Sequence, residues 1–417
     1  AAQPGRQVGG AGSPAREPGE GPGRGRGDRD RGDSHTPSMP APAPAGTTRS
    51  LRNTSGGHGL ASRWPRSGGD ATPSGPLGTQ ERGSAQSRGP AALRSSSPSA
   101  SAGGGAAAMD LAAQPAGRVS TPDEHCVHIL AGHAGFVLCL CTVGDVLFTG
   151  SQDCNIMIWD LNNLQYIGTL PGHRGFVKCM AASLTRKILC SGSQDKSIKV
   201  WSLETFSSTR TLHGHTSEVN SLVIMEGSDV LVSGSEDKSI RVWDLSTLAL
   251  LSSMENAHGS SVFALACLDG GLLLSASRDR TIKVWLASTW QARRTLSPPH
   301  YDGVSALAVG PSRSRFYSAS RDRSIRRWQA RSFESDLQLP HAHGDWLTSL
   351  ALAPSENVLF SGSKDCVIKV WDPDMHCKDM LLGHRGPLTS LLSIDGHLFS
   401  ASHDRTIRVW RVKHYEP

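Results

Sequence analysis

Val146-Leu147-Phe148-Thr149-Gly150-Ser151-Gln152-Asp153-Cys154-Asn155-Ile156-Met157-Ile158-Trp159 is the stretch on which the fold turns. Two short apolar runs of strand character flank a tight turn that carries an Asp, and a Trp stands six residues after that Asp. The same grammar returns six more times, with Ser-Gly/Ala-Ser-x-Asp before the turn: Asp195, Asp237, Asp279, Asp322, Asp365 and Asp404. Each is followed after six residues by its Trp, namely Trp201, Trp243, Trp285, Trp328, Trp371 and Trp410. Between 20 and 22 residues before each Asp stands a His: His133, His173, His215, His258, His300, His343 and His384. These histidines are 40, 42, 43, 42, 43 and 41 residues apart, so one unit of about 42 residues is repeated seven times.

Four short strands per unit cannot bury both sheet faces alone, and neighbouring units must stack radially into a propeller. The pattern resembles the WD-repeat (WD40) family, with the literal dipeptide at Trp159-Asp160, Trp243-Asp244 and Trp371-Asp372. Ser202, Leu286, Gln329 and Arg411 depart from it at the second position, and none of these changes bears on the fold. The expected architecture is an all-β, seven-bladed propeller over residues 123–417. Cys126-Val127-His128-Ile129 has no unit of its own, while the last unit is one strand short. That segment is expected to form the outer strand of the last blade and so remove a free edge.

The resemblance also implies a role for the recurring polar residues. In the family the His, a strand hydroxyl, the turn Asp and the indole N–H form a buried relay. The hydroxyls in this chain are Thr149, Ser191, Ser233, Ser275, Ser318, Ser361 and Ser400. A His, a hydroxyl and an Asp also invite a catalytic reading, but a triad occurs once per site beside an oxyanion hole. A set repeated seven times, always with its Trp, has no such logic. No GxxxxGK[ST], HExxH or GxSxG motif is present, so no enzyme and no cofactor are expected.

The first 122 residues differ from the rest. They hold 14 Arg, no Lys and 8 acidic residues, which is the whole chain's net charge of +6, and residues 123–417 balance at 29 basic against 29 acidic. Of 23 aromatic residues only Trp64 lies in this segment. Without large apolar groups such a Gly/Pro/Ser/Ala/Arg-rich stretch cannot offset its backbone entropy, and disorder is expected over residues 1–122. Asp28, Asp30 and Asp33 interleave with its Arg-Gly patch, which argues against nucleic-acid binding. The chain begins at Ala1, and Met109-Asp110-Leu111-Ala112 stands shortly before the repeats, so the expectation is either a fragment of a longer chain or a first 108 residues that do not belong to the native protein. Nine Cys without zinc-ligand spacing read as reduced thiols, and no apolar run suits a membrane span. A cytoplasmic or nuclear protein with no metal is expected.

Function is therefore expected on the rim near the histidines, where related propellers hold peptides. The candidates are Phe136, Phe176 and Trp346 just after the His, Lys178 two positions further on, and Arg278, Arg321, Lys364 and His403 before the turn Asp. Aromatic and cationic side chains on one rim suit a protein hot spot, and the Arg278, Arg321 and Lys364 side suits acidic or phosphorylated segments. The expected activity is that of a non-enzymatic scaffold or adaptor. Pro298-Pro299-His300-Tyr301-Asp302-Gly303 and Ala342-His343-Gly344-Asp345-Trp346 are similar to the propeller ending some kinesin-4 tails, which gives a cytoskeletal alternative. A cullin-type ubiquitin-ligase receptor is the other alternative. Its Trp-Asp-x-Arg box is approached only by Trp328-Gln329-Ala330-Arg331.

Overall fold

Seven antiparallel four-stranded blades, one of them extended by a short parallel fifth strand, succeed one another along the chain in a computed structural model that describes residues 118–119, 125–269 and 271–415. Blade 1 consists of Val137–Val143, Val146–Ser151, Ile156–Asp160 and Tyr166–Leu170. The inner strands of blades 2 to 7 are Val177–Ser183, Val219–Met225, Val262–Leu268, Val304–Val309, Leu347–Leu352 and Leu388–Ile394. Inner strands of successive blades pack side by side, and that of blade 7 meets that of blade 1. The result is a closed seven-bladed propeller.

Burial explains why no blade stands alone. Seven apolar clusters form among the described residues, and each is drawn from two neighbouring blades. Phe148, Ile156 and Ile158 of blade 1 pack against Trp201 and Leu203 of blade 2, for example. The side chains standing between sheets supply the apolar burial that drives stacking. Close approach also dictates small residues. A Cβ on Gly150 or Gly192 would lie 2.6 Å from the Sγ of Cys139 or Cys179. The corresponding Ala276 and Ala319 face Ala264 and Ala306 across the ladder, where there is room for the extra methyl.

Ring closure follows from the segment before the first repeat. Cys126–Ala131 pairs antiparallel with Thr406–Arg411, with Leu130 opposite Ile407 and His128 opposite Val409. It is the outer strand of blade 7. Leu130 is buried in the cluster that joins blade 7 to Trp159 and Leu147 of blade 1. The expectations for residues 1–122 lie outside the described residues, except at Arg118–Val119. Those two residues pair in parallel with Asp379 and Met380 on the outer strand of blade 6.

All nine cysteines are free thiols, as their spacing suggested. Burial pushes Cys141, Cys179 and Cys190 up to about 12, so they act as small apolar side chains rather than nucleophiles. Among the described residues no cluster of His, Cys, Asp and Glu could hold a metal ion, and no helix is long and apolar enough to cross a membrane.

Deleting residues 123–130 removes Leu130 and the ladder it anchors. The loss of a buried Leu alone costs about 2–5 kcal/mol, so the melting temperature of the whole propeller should fall. An unchanged calorimetric melt would contradict closure by this strand.

Candidate protein-binding site

Each blade is first fixed by one hydrogen-bonded relay. The indole N–H of Trp159, Trp201, Trp243, Trp285, Trp328, Trp371 and Trp410 donates to the strand hydroxyl ten residues earlier, at 2.7–3.0 Å. The hydroxyls of Thr149, Ser191, Ser233, Ser275, Ser318, Ser361 and Ser400 lie 2.7–2.8 Å from Nε2 of the blade's His. Nδ1 of the same His lies 2.7–3.1 Å from Oδ2 of the turn Asp. An ionised Asp only accepts and an indole only donates, so one arrangement satisfies every atom. The His donates from Nδ1 to the Asp, accepts at Nε2 from the hydroxyl, and the hydroxyl oxygen accepts from the Trp.

The Asp does more than end the relay. Its Oδ2 also accepts the backbone N–H after the His, at 2.8–3.0 Å. Its Oδ1 accepts the N–H two residues on, again at 2.8–3.0 Å. The residue between, from Cys154 to Arg405, takes φ of 68–76° in all seven turns although it is never Gly. The carboxylate thus pins a left-handed position that a non-glycine residue adopts only at a cost. In five blades Ser197, Ser239, Thr281, Ser324 or Thr406 adds an O–H bond of 2.6 Å to Oδ1.

Those bonds show in the acidity. Burial would raise Asp195, Asp237, Asp279, Asp322 and Asp404, but the His and hydroxyl donors outweigh it and hold all five far below the usual carboxylate range. Asp153 and Asp365, whose turns carry Asn155 and Val367 instead, are lowered less. Burial lowers His300 and His343 against the pull of their Asp partners, which favours the neutral imidazole that the relay requires. The relay is accordingly a buried network that ties the strands of each blade together.

The histidine-bearing face opens on a cavity of about 330 Å³ at the channel mouth, and Lys178, Arg321, Trp346, Lys364 and His403 are among its lining residues. Four residues form a ladder of alternating rings and cations. Arg321 lies 4.6 Å from the Phe263 ring and 4.7 Å from that of Trp346, and Lys364 Nζ lies 3.8 Å from the Trp346 ring. His403 continues the arc, stacked at 4.3 Å on Phe136 of blade 1. Burial, with Lys364 nearby, lowers the His403 imidazole, so it presents a neutral ring. Trp346 remains 37% exposed despite its two cations. Burial and the neighbouring Arg278 both disfavour the charge on Arg321, only partly offset by Asp302. An anion placed between these guanidiniums would relieve that repulsion.

The other candidates take different positions. Lys178 Nζ is held by Glu218 at 2.5 Å and Asn220 at 2.6 Å, and Gln194 bonds the second Glu218 oxygen, so its charge is neutralised within the rim. Arg278 is exposed and lies outside the cavity lining, as do the half-buried Phe136 and Phe176. Phe263 completes the ladder, and Glu218 removes a cation from it. Its equivalence to Phe136 and Phe176 on neighbouring inner strands could have flagged Glu218 as the next blade's partner for Lys178.

The repeat model of the WD domain, G-beta repeat family matches residues 124–160, 164–202, 206–244, 250–285, 290–329, 335–372 and 375–411. The matches take in more than half of the chain, and the protein belongs to that family, whose propellers are typical protein-interaction scaffolds and generally non-catalytic. Among curated relatives, the human "Kinesin-like protein KIF21A" is 46% identical over 48 residues, which are 12% of this chain and 3% of that protein. The chain thus spans only a small part of the length of the curated relative it matches.

A depressed carboxylate contributes stability that is complete above its unfolded pKa, about 3.9, and is lost as pH falls through the lower folded value. A depressed histidine behaves with the same sign around its unfolded value of about 6.5. The melting temperature should therefore hold between about pH 7 and 8, decline slightly below about 6.5 through His300 and His343, and fall steeply below about 4. Scanning calorimetry across pH checks this. A melt that rises on acidification would contradict the ionised relay.

Proposed function

We propose that the protein is a non-enzymatic scaffold or adaptor that binds acidic or phosphorylated protein segments across the channel mouth. The observation that carries this reading is the ladder Phe263, Arg321, Trp346 and Lys364, in which an exposed indole is held between two cations at the lip of a concave site. The fold does not need it, because the relay and the apolar clusters lie elsewhere. A rigid aromatic with flanking donors is the composition of a binding hot spot. Bidentate guanidinium contacts would hold carboxylates or a phosphate, while the Trp346 face would take an apolar or aromatic neighbour on the same segment. Cytoplasm or nucleus suits such a partner.

The test compares the full-length chain with a variant carrying Arg278→Glu, Arg321→Glu and Trp346→Ala, after melts show both folded. Loss of a hot-spot side chain costs about 2 kcal/mol or more, roughly 30-fold in affinity, so the captured partner set should drop out with the variant. Partners retained at wild-type strength would move binding to another surface.

A second reading, association with the cytoskeleton, is favoured by the 48-residue likeness to a kinesin-like protein. Under it the full-length chain should pellet with polymerised microtubules and remain soluble without them. Equal amounts in both supernatants would remove this reading.

A further inference from the structure

We propose that the groove between blades 4 and 5, on the face opposite the histidines, is a second docking site for an extended acidic protein segment. The groove encloses about 450 Å³. Its floor is apolar, built from Leu268, Leu272 and Phe333, and its rim carries the exposed guanidiniums of Arg293, Arg313 and Arg331. One acid, Asp269, is among the lining residues, and it is already paired with Arg313 at 3.0 Å. That pair is solvent-exposed and weak, so it leaves the groove with a surplus of positive charge.

The walls are fixed before any ligand arrives. Arg294 donates to the Ser332 carbonyl at 2.8 Å and ties the outer strand of blade 4 to the turn of blade 5. Phe333 closes that turn with its side chain buried and with Arg293 5.8 Å from its ring. Ser312, on the opposite lip, is bound by Glu356 of blade 6 through its N–H and its hydroxyl. A preformed groove loses little freedom when it is occupied.

Arg331 is not a feature of the repeat. Three residues after the Trp, where blade 5 has Arg331, the other blades have Asn162, Glu204, Ser246, Ser288, Asp374 and Lys413. The excess extends over the whole sector. Residues 262–339 contain 12 Lys or Arg against 6 Asp or Glu, within repeats whose overall charge balances. Charge complementarity therefore selects an acidic occupant and argues against this chain's own first 122 residues, which carry +6. The groove lining carries no exposed aromatic ring on which a base could stack, which favours a protein segment over nucleic acid, and the partly exposed Leu272 is the floor residue that an apolar side chain can reach. It also argues against a lipid surface, which would meet a concave groove poorly. The fitting segment is extended, with acidic side chains reaching the rim on both sides of an apolar one that enters the floor.

The experiment uses the full-length chain and a labelled synthetic peptide of Glu-Glu-Leu repeats, followed by fluorescence anisotropy. Binding should weaken as salt rises. Measured in a chain that already carries Arg278→Glu and Arg321→Glu, so that the channel mouth does not contribute, Arg293→Glu with Arg331→Glu should reduce affinity at least about tenfold, whereas Lys378→Glu, exposed on the outer strand of blade 6, should change it less than about twofold. Replacing the peptide's Leu by Ser should also weaken it. Absence of peptide binding, loss only with the upper-face pair, or an unchanged affinity in the groove variant would overturn the proposal. So would tighter, groove-dependent binding of an oligonucleotide or of phosphatidylserine vesicles. Should the charge reversal impair folding, Arg293→Gln with Arg331→Gln gives the same reading.

Discussion

The hydrogen bond from each tryptophan N–H to its strand hydroxyl is the contact on which the rest of every blade depends. It fixes the hydroxyl proton toward His Nε2, which sets the tautomer, which in turn directs Nδ1–H to the Asp. The Asp then has both oxygens committed to the loop after the His and to the left-handed turn. One indole therefore determines the geometry of a strand, a loop and a turn that are far apart in sequence. Removal of any member strands a buried group at about 1–3 kcal/mol, so the set behaves as a unit. Seven copies of that unit make a frame stiff enough to carry irregular side chains at its ends.

That stiffness is what frees the rim to vary. The positions after the His and before the Asp lie beyond the relay and at the edge of the inter-blade clusters. Phe136, Phe176, Glu218 and Trp346 can therefore occupy equivalent sites without disturbing the sheets. Around the mouth the chain uses this freedom unevenly. From blade 4 to blade 6 the arc alternates rings and cations and then ends in the stacked rings of His403 and Phe136, while at blades 2 and 3 the lysine is cancelled by Glu218. The asymmetry is a property of side chains alone, because the backbone beneath is the same in every blade.

The frame was legible in the sequence because repetition converts three-dimensional neighbours into fixed spacings. The Asp-to-Trp interval of six and the orphan run at Cys126 fixed the blades and their closure. The second donors to the Asp, such as Ser197 and Thr281, recur in five of the seven blades but carried no signal until the turn geometry brought their hydroxyls to Oδ1. The rim was less readable for a different reason. Its contacts join residues of neighbouring blades, about one repeat apart, as with Lys178 and Glu218, or across the closure, as with Phe136 and His403. Such pairs depend on side-chain direction at a ring edge, which spacing does not encode. The groove was invisible for the same reason, since Arg293 and Arg331 come from different repeats and meet only because the blades are adjacent.

A balanced total charge hides the feature that distinguishes this propeller. The repeats carry equal numbers of acidic and basic residues, yet blades 4 and 5 hold a surplus of six cations, so the remainder must hold a surplus of six anions. Strands of five or six residues separate the two faces of that sector by about 17–20 Å, roughly two Debye lengths at physiological salt. At that distance the guanidiniums at the channel mouth and those in the opposite groove draw an approaching acidic chain together but scarcely influence each other once it is bound. Changes on the two faces should then contribute additively, as distant sites do. A sector of this kind can hold one acidic segment on each face, or lead a longer one around the blade edge, while the frame between them stays fixed.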